Sequence, residues 1–147
     1  MTATANQPVR TSRLLLSALV VGLILNMGEA ALHGGVLAAA TEAAYRALGR
    51  AAPVDPLNLV SLVVLTFVQG GVMAWLYVTV RPRFGARFKT AACVGLLGWL
   101  LSSVYSAVYL NSGFPGVLPA NLIWTPVAWQ LIEYPLAMIV GAALHRE

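Results

Sequence analysis

Four long apolar runs constrain this chain more than any other feature. They cover residues 14–37, 57–80, 90–110 and 122–144. About 20 apolar residues suffice for a helix to cross a bilayer, and each run reaches that length. The connecting segments hold most of the nine Lys/Arg and five Asp/Glu. A soluble domain needs a charged surface, which a chain 59% hydrophobic and 10% charged does not supply. The expected fold is therefore all-α: a membrane-embedded four-helix bundle forming a single domain over residues 1–147. Nucleic-acid binding is excluded, since it would need a basic face with reading elements and none is visible. Cys93, the only cysteine, lies in an apolar run, so it reads as a small buried apolar residue rather than a disulfide or metal ligand.

The first run carries the most informative residues. Gly22, Asn26, Glu29 and His33 follow one another at four-, three- and four-residue steps, which places them on one stripe of a helix. A charge at the centre of a membrane helix costs roughly 2.5 kcal/mol or more, so Glu29 is expected to face protein or water rather than lipid. The stretch has basic residues before it and a small-residue cluster, Ala38 to Ala40, after it, as a signal peptide would. The distance exceeds a normal apolar signal core of about 7–15 residues, and the segment reads as an uncleaved first span.

Between the first two runs the chain is Ala-rich. Glu42, Arg46 and Arg50 recur every four residues, opposite a weak apolar face of Leu37, Ala44 and Leu48. A short amphipathic helix at the membrane surface is expected there, ended by Gly49 and Pro53. A helical extension of the first span is the alternative. Asp55-Pro56 then reads as a helix start, with a carboxylate cap and proline at the first helical position.

The second run has Gln69 at its middle, and Gly70 with Ala74 permits close helix approach. A basic turn follows, in which Arg81, Arg83, Arg87 and Lys89 are expected to orient the chain and contact anionic lipid headgroups. In the third run Ala91, Gly95, Gly98, Ser102 and Ser106 form a ladder of small residues suited to helix packing. Asn121 is expected to cap the fourth run, where Trp129, Gln130 and Glu133 lie deep and Pro135 tends to bend the helix.

Orientation follows from the cations. With four spans, Arg10, Arg13, Arg81, Arg83, Arg87, Lys89 and Arg146 share one side, and only Arg46 and Arg50 the other. The multi-pass chain is thus expected to have both termini cytoplasmic. Counted from the outer ends at about 1.5 Å per residue, Gln69 and Glu133 lie some 18 Å deep. Asn26 is at nearly the same level, with Glu29 and His33 further out and Ser102 and Ser106 in the outer half. All four helices can contribute to one polar cluster opening outward, with Trp129 and Gln130 in its lining.

Three chemistries suit a cluster of Asn26, Glu29, His33, Gln69 and Glu133. In the first it is structural: the acids are protonated or share a proton, and hydrogen bonds fasten the helices of a nonenzymatic accessory or interaction protein. In the second it is a protonatable site for proton-coupled transport of a small solute or ion, with Glu29 titrating and His33 as outward relay. In the third, Glu29 and His33 ligate a metal ion with Glu133, or His33 ligates haem, although paired axial histidines are lacking. No cofactor is expected on the first two readings. No nucleophile elbow, zinc-protease motif or phosphate loop supports a hydrolase. The small-residue faces also suit a homo-oligomer.

Several pieces resemble a group of small bacterial four-span integral membrane proteins to which no activity is assigned. They are Asn26-x-x-Glu29-x-x-x-His33-Gly34, Trp75-Leu76-Tyr77, Arg81-Pro82-Arg83-Phe84-Gly85, Lys89-Thr90, and Trp129, Glu133 and Gly141-Ala142-x-Leu144 in the closing helix. The resemblance implies a bacterial inner-membrane location and the four-span plan, and no function.

Overall fold

Local signals set the helix ends. In the computed structural model, which describes residues 11–51 and 55–144, the Asp55 side chain accepts from the Leu57 N–H at 3.1 Å and Pro56 opens the helix behind it. Five helical segments result: α1 (Thr11–Val36), α2 (Ala38–Ala47), α3 (Pro56–Phe84), α4 (Arg87–Gly113) and α5 (Ala120–Ala143). No strand occurs among the described residues. Arg10, Pro53, Arg146 and the polar tail before Arg10 lie outside them.

Three of these, α1, α3 and α4, are long and apolar enough to cross a membrane. The fourth long helix, α5, is not among them. Gln130, Glu133, two prolines and several aromatic rings dilute its aliphatic residues. The helix runs unbroken through Pro126 and Pro135, and its cap position is Pro119 rather than Asn121, which sits inside the first turn.

The basic turn is mostly helix. α3 continues through Arg81, Pro82 and Arg83 to Phe84, and α4 begins at Arg87, so only Gly85 and Ala86 link them. Gly85 takes φ +72°, a positive value that favours glycine; its N–H donates to Arg81 O at 2.9 Å and the next N–H, of Ala86, to Phe84 O at 2.9 Å, closing a tight turn. α2 follows α1 across a single residue, Leu37, whose N–H donates to Leu32 O and whose carbonyl accepts from Thr41 N. None of its residues is buried, and Arg46 pairs with Glu42 along its exposed face.

Two turns depart from the α-helical pattern. Leu32–Val36 at the end of α1 and Leu100–Val104 inside α4 are wound as π-helix. A π turn inserts one extra residue, so every side chain beyond it is rotated relative to the preceding helix.

Glycines set the helix crossings. α1 packs against α3 and α5, α4 packs against α5, and α3 meets α4 over a smaller contact. A Cβ on Gly70 would lie 2.7 Å from Gly22 N, so α1 and α3 touch backbone to backbone there. Gly95 of α4 meets α5 in the same way at Pro135. Ser17 Oγ, buried in α1, donates to Gly141 O of α5 at 3.0 Å.

The apolar core, which includes Val21, Leu25, Met73, Tyr77, Ala91, Val94 and Met138, lies on the half of the molecule nearer the Gly85–Ala86 link. Leu15, Leu19, Leu23, Leu59, Leu62 and Leu65 are among many large apolar side chains left exposed on α1 and α3. Such a surface suits lipid and would be a liability in water.

Candidate functional site

The polar residues gather at the edge of the apolar core, near the two π turns, and Tyr134 belongs to both. Glu29 is at the centre. Its Oε2 lies 3.2 Å from His33 Nε2 one turn later, and its Oε1 accepts from Gln130 Nε2 of α5. Gln130 in turn accepts through Oε1 from Ser103 Oγ in the π turn of α4. A chain His33, Glu29, Gln130, Ser103 therefore joins α1, α5 and α4. Exposure falls along it: the His33 side chain is 53% exposed, that of Glu29 26%, and Ser103 is buried.

Glu133 lies one turn beyond Gln130 on α5. It is only 8% exposed, and neither carboxyl oxygen has a hydrogen-bond partner among the described residues. Its carboxyl rests against Gly28, where any Cβ would run into it. Since Gly28 directly precedes Glu29, the two acids flank one point on α1.

A second polar group sits beside the first. Gln69 Nε2 of α3 donates to Ser102 Oγ of α4 and, at 3.0 Å, to Tyr134 Oη of α5. Ser102 and Ser103 are neighbours on the π turn, and Tyr134 follows Glu133, so the two groups are built on the same stretches of α4 and α5.

Of the residues singled out from the sequence, Glu29, His33 and Gln130 come together, with Glu133 against the same turn of α1. Gln69 and Ser102 form the adjoining group. Asn26 joins neither: its Nδ2 donates to Gly22 O at 2.8 Å and to Val63 O of α3 at 3.4 Å. Asn26 and Glu29 are three residues apart, hence about 60° around the helix, enough to face different neighbours. Ser106 is exposed, because the extra residue in the π turn hands the inward face to Ser103 and Ala107. Trp129 is 37% exposed and stands outside the chain from His33 to Ser103, with its side chain beside the Glu133 carboxyl.

Arg87, expected on lipid, donates from Nε to Ala142 O of α5 at 2.9 Å and lies over the Phe88 ring. Three contributors escaped the sequence reading. Tyr134 could have been found as a phenol at mid-helix, far from the interface where tyrosines usually sit. Gly28 adjoins the acid and could have been suspected as a gap. Ser103 had no signal, since nothing in the sequence marks the π turn.

Among the described residues no three His, Cys, Asp or Glu side chains are grouped so as to hold a metal ion. The chemistry available is hydrogen bonding and proton exchange between a half-exposed imidazole and two carboxyls. Compared with known proteins, the chain matches no family model, no curated protein and no solved structure.

Proposed function

We propose that the chain is a four-span protein of the bacterial inner membrane whose Glu29, His33, Gln130 and Glu133 form a protonatable site for proton-coupled transport of a small solute or ion. Three helices have the length and apolarity to cross the bilayer. α5 serves as the fourth span because Glu133 and Tyr134 are buried against neighbouring helices rather than presented to lipid. The cation distribution supports a cytoplasmic location for the Gly85–Ala86 link, the start of α1 and the end of α5.

Glu133 carries the reading. A buried carboxylate with little besides the neighbouring Trp129 side chain to donate to it is expensive, so this group calls for a proton or an arriving cation. His33 and Glu29 supply the first steps of a path inward from the exposed end of α1, and Glu133 lies against Gly28 beside Glu29.

A second reading, structural fastening in an accessory protein, is supported by the hydrogen bonds themselves. Gln130 ties α1, α4 and α5, and Gln69 ties α3, α4 and α5. The two differ in what Glu29→Gln does, since an amide is nearly isosteric with a neutral acid but cannot titrate. In vesicles containing the purified chain, wild type should dissipate an imposed pH gradient. Glu29→Gln and Glu133→Gln should abolish this while melting normally. Wild-type vesicles that hold the gradient as well as empty ones would leave the structural reading in its place. Metal analysis of wild type and His33→Ala tests the remaining metal reading in the same preparations.

A further inference from the structure

α3 and α4 are joined by two residues, yet they pack less closely than α1 with α3 or α4 with α5. Two cavities of about 380 Å³ each lie in the gap between them. Leu76, Val94 and Leu97 line both, so the cavities form one groove. One end reaches Ser102 of the second polar group, and the other opens at Phe84 and Lys89 beside the Gly85–Ala86 link. From Lys89 to Ser102 is 13 residues, about 20 Å of helix, which exceeds the roughly 15 Å of hydrocarbon in one leaflet.

We infer that this groove holds the acyl chain of one anionic phospholipid, with its headgroup on Lys89. The lining is apolar along the length an acyl chain occupies, and the cation sits at the end where a headgroup would lie. The segment from Arg81 to Lys89 has four cations and no acid, so the local field selects a negative headgroup. Arg87 is engaged with Ala142 O, which leaves the groove mouth to Lys89. Lys89 is exposed, and its flexible stem can follow a phosphate. The inference rests on the chain lying in a membrane and is independent of the proton-site reading.

Native mass spectrometry of the full chain, released from nanodiscs of equal phosphatidylglycerol and phosphatidylcholine, tests it. Wild type should retain one phosphatidylglycerol. Lys89→Gln should weaken retention about fivefold, as expected for one cation against an anionic headgroup. Cys93 is exposed in the groove rather than buried as the sequence suggests, and Cys93→Trp, which places an indole there, should abolish retention. Should that variant not fold, protection of Cys93 decides the matter: phosphatidylglycerol, and not phosphatidylcholine, should slow its reaction with an apolar maleimide. Equal retention of both lipids, retention unaffected by both variants, unchanged maleimide reaction, or a second copy of the chain in place of lipid would overturn the inference. A chain extracted from membranes by alkaline carbonate would instead overturn the membrane reading on which it rests.

Discussion

The carboxyl of Glu133 occupies the space in which a side chain on Gly28 would stand. The buried acid on α5 thus depends on an absent side chain on α1, one residue before the acid it neighbours. Gly28→Ala should therefore destabilise the protein by about 1–3 kcal/mol through overpacking. Gly71→Ala, where the added methyl meets nothing within 4 Å, should be neutral or stabilising by up to about 1 kcal/mol. Unfolding in graded denaturing detergent reads both, and combining Gly28→Ala with Glu133→Ala should recover much of the loss.

Ser103, not Ser106, faces the cluster. Ser103→Ala removes the donor to Gln130 and should cost about 1 kcal/mol, whereas Ser106→Ala should stay within about 0.5 kcal/mol. Gln130→Leu leaves a Glu29 oxygen and the Ser103 hydroxyl without this partner and should cost more than either. Equal effects at the two serines would mean that α4 lacks its π turn.

Gly70 permits the backbone contact between α3 and α1. Gly70→Val should separate the two helices and cost about 1–3 kcal/mol, while Gly71→Val on the open side should not. Thermal melting in mild detergent distinguishes the two neighbouring positions directly.

Orientation is open to a labelling test on a Cys93→Ala background. An impermeant maleimide applied to intact cells should modify Ala39→Cys in α2 and spare Arg83→Cys, with the reverse in inverted vesicles. Modification of Arg83→Cys from outside would reverse the proposed topology.

Much of the helical plan follows from sequence alone. Apolar length sets where the long helices run, and Asp55-Pro56 and Gly85 mark their ends through local hydrogen bonds and backbone freedom. The polar residues that meet, Glu29, His33, Gln69, Gln130 and Glu133, could also be chosen in advance, because buried polar groups in apolar runs need partners. Which groups pair was decided by tertiary structure. Asn26 and Glu29 share a stripe on paper, yet they lie far enough apart around α1 to serve different neighbours. An extra residue in a π turn moved the inward face from Ser106 to Ser103, and close glycine crossings made room for Glu133 beside Gly28. Local periodicity records how one helix turns. It carries no record of an inserted residue or of how near the next backbone comes, and those two quantities set the contacts of this site.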